Sequence, residues 1–281
     1  MGTSLSYLTT LFSGSFGAGS SLLNTIYGNG GSSAGSADPA RALRSAERNQ
    51  TQDVKMTAAQ PMVKTTIAKF TQAVTSAKSL TQLLANPAFM NVLLTANGMS
   101  DRIGFTALAT KALTSKLSDP RSLANTLTDI RWRNLAQSYD FSSTGLLSFR
   151  NRGTIASIAN AYVTATWQTN QDTVTPGLSK ALAFKAQAST ITSVDQILGN
   201  PTMRAVVTTA LGIPLQIAFQ SLNAQEQAIS TRIDIKKFQD PKFVESFMQR
   251  YLIANRADAA SSSSSTPDLT TLAVQGQGIL A

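Results

Sequence analysis

The sequence contains no cysteine and no histidine. Without cysteine there is no disulfide framework, no thiolate zinc site, no iron–sulfur cluster and no thiol nucleophile. Without histidine the commonest general base and the commonest transition-metal ligand are missing, and so is every serine–histidine–acid triad. Acids are also few, with 15 Asp and Glu in 281 residues. A carboxylate-only magnesium or calcium site and a two-carboxylate hydrolase are left open in principle. Spacing favours neither: Glu226 has no acidic neighbour close in sequence, and Glu245 lies five residues after Asp240. There is no phosphate loop and no Gly-x-Gly-x-x-Gly after a strand. The expectation is a non-enzymatic protein with no cofactor and no metal.

Charge is sparse as well. Only 14% of residues are charged, against roughly 25% in an average soluble protein. The formal net charge is +9, but the excess is diffuse, with no basic run of the roughly 5–8 residues that marks a nucleic-acid patch. No stretch of about 18 apolar residues occurs, so no membrane span is expected. No Lys or Arg precedes Arg41, so the cationic start of a secretory signal is missing.

Serine, threonine and alanine fill the space, with 32, 33 and 38 residues. Residues 1–38 are rich in Ser and Gly, and Asp38 is their only charge. Such a composition cannot offset its own ordering entropy, so this segment is expected to be disordered by itself. Its apolar pieces, Leu8–Phe12 and Leu22–Tyr27, are short. The serine run Ser261–Ser265 leads to the same expectation of a flexible tail over 257–281. The ordered body is placed at 39–256.

Helix punctuation is dense in that body. Asp38-Pro39, Asn86-Pro87, Asp119-Pro120, Asn200-Pro201 and Asp240-Pro241 each set a capping side chain before a proline. Pro61, Pro176 and Pro214 also sit where helices can begin. Gly98 and Gly212 follow apolar stretches and fit left-handed positions just past helix ends. Apolar residues recur at three- and four-residue spacing, as in Ile155, Ile158, Tyr162 and Ala165, and in Phe243, Phe247 and Tyr251. No alternating strand pattern competes, so the fold class is all-α.

The most informative feature is an internal repeat. Residues 79–99 and 193–213 align without a gap, and nine of 21 positions are identical, including Asn86, Pro87 and Gly98 with their partners Asn200, Pro201 and Gly212. Downstream, Asp129-Ile130-Arg131-Trp132 pairs with Asp240-Pro241-Lys242-Phe243. Two tandem homologous helical units follow, at 39–150 and 151–256. The recurring Asn, Pro and Gly are read as structural caps. The run Asp129–Arg133 has two readings. Trp132 is buried and Asp129 caps a helix, or Arg131 and Arg133 contact an acidic partner, with Arg150 and Arg152 widening the same basic face.

The aligned units resemble a family known as domain of unknown function 1217. The resemblance rests on Ala85-Asn86-Pro87 through Asn97-Gly98, on Leu117–Pro120, on Asp129–Ala136 with Tyr139 and Phe141, and on Gly199-Asn200-Pro201, Leu211-Gly212 and Asp240–Phe243 in the second unit. It spans most of 60–255 and brings no catalytic residues. Members of that family are typically encoded in flagellar gene clusters of alphaproteobacteria. The resemblance therefore implies a flagellum-associated structural or assembly protein, carried to the periplasm or exterior by flagellar export. Its partners would be other flagellar proteins or further copies of itself, and residues 1–38 would form the export segment. Rod and hook subunits carry long heptad-like terminal helices, whereas both ends here are Ser/Gly-rich or Ser-rich. That departure points to an accessory, cap or junction role. The alternative is a cytoplasmic basic helical module that binds nucleic acid or an acidic protein; the diffuse charge disfavours nucleic acid.

Overall fold

In a computed structural model, which describes residues 38–264 with side chains to Ala259, the first helix begins where the Asp-Pro pair places it. The Asp38 carboxylate accepts the Ala40 N–H at 3.2 Å, and Pro39 supplies the fixed first-turn φ of α1 (Pro39–Ala59). Only Gln60 separates α1 from α2 (Pro61–Ser76). Pro61 has no N–H to continue the helix and holds Gln60 in extended backbone, so the chain turns there. The short α3 (Leu80–Leu84) and α4 (Pro87–Ala96) follow. After them come α5 (Thr106–Leu113), α6 (Leu123–Thr126), α7 (Arg131–Tyr139), α8 (Phe141–Thr144) and α9 (Leu147–Arg150). The second half contains α10 (Arg152–Gln171), α11 (Leu178–Gln187), α12 (Val194–Leu198), α13 (Pro201–Ala210), α14 (Leu222–Ser230) and α15 (Pro241–Ser264). No strand occurs among the described residues, and the protein is all-α.

The caps repeat with the sequence. Asn86 accepts the Ala88 and Phe89 N–H groups, and Asn200 accepts those of Thr202 and Met203. Ser79 and Ser193 cap α3 and α12 in the same backbone conformation. Gly98 and Gly212 take φ values of 68° and 61°. The next N–H in each half, from Met99 and Ile213, returns to Leu94 and Thr208 carbonyls at 2.8 Å. This closes both helices in the same way.

Three sequence expectations change. Asp119-Pro120 starts a turn, not a helix, and α6 begins only at Leu123. Pro176 likewise precedes a turn, closed by Gly177 at φ 88°, and α11 begins after it. The last helix passes the expected boundary at 256 and runs to Ser264, through Ala257, Ala259 and Ala260, which are strong helix formers. Residues 1–37 and 265–281, with the expectations placed on them, lie outside the described residues.

Packing crosses the boundary of the repeat. One core cluster runs from Phe70 to Phe149 and includes Ile158 of α10. The other runs from Trp167 to Leu252 and includes Leu43 and Ala46 of α1. Each half therefore has a leading helix that serves the opposite core. α1 lies against α10, α11 and α15, while α10 packs most extensively on α4. Phe70 stacks on Phe89 with ring centroids 5.7 Å apart in the first core. Phe184 meets Phe238 edge-on at 5.2 Å in the second. Burial of Leu43 alone contributes about 2 kcal/mol to the second core.

Candidate functional site

The distinctive run at the start of α7 builds a half-buried ionic knot, with Arg131 inside and Asp101 at the surface. Asp129 turns its carboxylate onto the Arg131 N–H at 3.2 Å and so caps the helix. The Arg131 side chain then folds back. Its Nε and Nη2 donate to Asp129 at 2.9 and 2.8 Å, its Nη1 and Nη2 donate to Asp101 at 3.0 and 2.9 Å, and Nη1 also donates to the Gly98 carbonyl at 2.7 Å. Arg102 completes the group against Asp129 at 3.2 Å. Arg131 is only 7% exposed. Burial pushes the Asp129 carboxyl upward, but the hydrogen bond and charge of Arg131 outweigh it and hold the group below the usual carboxylate range. The knot ties α7 to the left-handed turn after α4. Two guanidinium groups neutralise its two carboxylates, so it offers no vacant charge to a cation or an acid–base step.

The four arginines proposed as a binding face are thereby divided. Arg131 is corrected to an internal staple, because its donors are spent on Asp101, Asp129 and Gly98. Trp132 is buried at 1% exposure, as the structural reading required. Arg133, Arg150 and Arg152 are exposed. Arg133 lines a cavity of about 460 Å³ with Asn134, Gln187 and Asp195, and neither Arg150 nor Arg152 is part of that lining. The cap residues Asn86, Pro87, Gly98, Asn200, Pro201 and Gly212 all end or begin helices.

A groove runs between the halves along α10, with a volume of about 460 Å³. Its wall combines small residues such as Ala161 and Ala165 with the amides of Asn97, Asn134, Gln168 and Gln187. The halves meet beside it through one main-chain bond, Ile130 N–H to the Gly199 carbonyl at 2.9 Å. Gly199 is dictated by that approach: a Cβ there would lie 2.5 Å from Ile130 Cγ2. No group of three or more acidic residues that could hold a metal ion occurs among the described residues.

Sequence reasoning missed a second pair of matching features. Phe105 is 53% exposed just before α5, and Phe219 is 92% exposed just before α14. They are equivalent in the repeat, and so are Ile103 and Ile217 two residues earlier. Leu215 and Leu222 widen the apolar patch around Phe219. Extending the ungapped alignment by six residues past Gly98 and Met99 reveals this repeated Ile-x-Phe. The signal is legible in the sequence, but exposure is not, since an apolar pair is ordinarily assigned to a core.

A family model described as "Protein of unknown function (DUF1217)" matches residues 96–244, more than half of the chain. The chain belongs to this family. The match begins at the end of α4, takes in the ionic knot and both Ile-x-Phe turns, and ends in the first turn of α15. A solved structure of protein AGR_C_984 from Agrobacterium tumefaciens is similar in fold, with a TM-score of 0.66 and 24% identity. The likeness covers 80% of this chain and 96% of that one. No curated protein matches the sequence.

Proposed function

We propose that this DUF1217 chain is a non-enzymatic protein of flagellar structure or assembly, an accessory, cap or junction component that leaves the cytoplasm by the flagellar export route. The observation that supports an interaction role is the doubled Ile-x-Phe turn. Exposed large aromatics cost solubility and are characteristic of contact surfaces. Here the duplicated fold keeps one in each half, at Phe105 and Phe219. The flagellar setting rests on what the family resemblance implies. The ionic knot supports the non-enzymatic part, because its two carboxylates, the largely buried Asp129 and the exposed Asp101, are neutralised by Arg102 and Arg131.

The test is fractionation of tagged protein from cells with and without functional flagellar export, together with motility of a deletion strain. The expected result is export-dependent release and impaired swimming, restored by the natural chain. A Phe105→Ser, Phe219→Ser chain is expected to fold with unchanged helix content and to fail in that restoration. Protein that stays in the cytoplasm of a normally swimming deletion background would overturn the reading and favour the basic cytoplasmic module.

A further inference from the structure

We propose that a basic cavity in the second half, where the turn after α14 faces α15, binds a small phosphate monoester with a compact aromatic or apolar body. The cavity has a volume of about 420 Å³, within the range of small-ligand sites. One wall is a stripe of α15: Phe243, Ser246, Phe247 and Arg250 are spaced to share one helix face. Arg232 and Lys237 enter from the opposite wall. The lining carries one carboxylate, Asp234, and its Oδ1 already accepts the Lys236 N–H at 3.0 Å. None of the three cations forms an ion pair with a described residue. Arg232 spends one Nη1 bond on the Ala228 carbonyl, and Lys237 Nζ stands 5.8 Å above the Phe243 ring. In the inter-half groove, by contrast, Arg131 is neutralised by Asp101 and Asp129.

The internal repeat supplies a second observation. In the register that pairs Trp132 with Phe243, Ser246 stands where the first half has Leu135, and Arg250 where it has Tyr139. Leu135 is buried, and α7 packs along α5 and α6. No comparable packing joins α14 to α15. The same fold therefore closes this position with apolar side chains in one half and opens it with a hydroxyl and a guanidinium in the other. The opening is not a requirement of the architecture.

Charge selects the ligand class. Three cations against Asp234 leave the lining two positive charges in excess. A phosphate monoester carries roughly −1.5 to −2 at neutral pH and offers three terminal oxygens. Those oxygens suit guanidinium forks and an ammonium, which supply the donors here, since the hydroxyls of Ser230, Thr231 and Ser246 already donate to main-chain carbonyls. A single carboxylate would leave one cation without compensation. Phe243 and Ile233 provide an apolar surface for the body that carries the phosphate.

The test is an NMR or calorimetric titration of the full-length protein with phenyl phosphate, inorganic phosphate and benzoate. Saturable one-to-one binding of phenyl phosphate, tighter than either of the others, is the expected result. Arg250→Gln removes an exposed charge and is expected to weaken binding about tenfold. The double change Ser246→Leu, Arg250→Tyr carries the first half's residues into the second. It is expected to keep the helix content and lose binding. Arg133→Gln, which removes an exposed cation elsewhere, is expected to leave the affinity unchanged. The proposal is overturned by the absence of saturable binding, by benzoate binding as tightly as phenyl phosphate, or by equal losses in Arg250→Gln and Arg133→Gln.

Discussion

Arg131 and Arg133 are two residues apart and chemically alike, yet one is a staple and the other is solvated. The difference comes from partners that sequence spacing does not display: Asp101, 30 residues earlier, and the Gly98 carbonyl, 33 residues earlier. The cap by Asp129 was legible because it is local. The knot was not, because it needs α7 laid against the end of α4. Replacing Arg131 with Met leaves Asp129 facing Arg102 alone and is expected to cost about 2–3 kcal/mol, somewhat below the range for a fully buried pair. Denaturant titration checks this. The pH dependence follows from the lowered carboxyl of Asp129. A folded-state value below the unfolded one stabilises fully above about pH 4 and is lost as pH falls through the folded value. The melting temperature of the natural chain should therefore drop as pH is lowered below about 4, and the Asp129→Asn chain should show a shallower drop over the same window. Gly199 makes a separate residue-scale case. Gly199→Ala sets a methyl against Ile130 and is expected to destabilise by about 1–3 kcal/mol. Ile130→Ala in the same chain should recover most of that loss, which a double-mutant cycle by thermal unfolding would measure.

At the scale of single helices, the Asn-Pro and Asp-Pro pairs were the best guides, because a cap and a fixed φ act within one turn. Asn86 and Asn200 each satisfy two first-turn N–H groups. Their replacement by Ala is expected to cost about 1 kcal/mol apiece, with the two losses additive, since the caps sit in different halves and share no partner. Strongly non-additive melting data would show that the two helices are coupled more closely than their contacts suggest. The pairs misled at Asp119. There the carboxylate does accept the Arg121 N–H at 2.9 Å, but Asn125 Nδ2 captures the Leu117 and Asp119 carbonyls and holds the segment as a turn. The capping chemistry is the same, and an amide six to eight residues further along the chain holds a turn in place of a helix. The Ile-x-Phe turns failed differently. Their repetition was visible, but a sequence pattern carries no sign of whether an apolar pair points into a core or out of it.

Across the whole molecule, the repeat in sequence and the division in packing do not coincide. The Asn-Pro caps and the glycine-closed helix ends recur at matching positions, so these helix limits were legible from nine identities and a few prolines. The exchange of leading helices was not, because α1 and α10 have similar length and both can bury an apolar stripe; only the assembled cores decide which stripe goes where. That exchange has a thermodynamic consequence. Leu43 and Ala46 of the first half complete the second core, and α10 places Ile158 in the first core and Trp167 in the second. Neither half can lose its packing without exposing apolar surface in the other, so unfolding should be one cooperative transition. The two tryptophans test this directly, since Trp132 reports on one core and Trp167 on the other. In urea, the fluorescence transition of a Trp167→Phe chain, seen through Trp132, and that of a Trp132→Phe chain, seen through Trp167, are each expected to coincide with the loss of helix content measured by circular dichroism on the same chain. A Trp132 signal that changes well before or after the helical signal would mean that the first core unfolds independently, and that the crossing helices do not couple the halves.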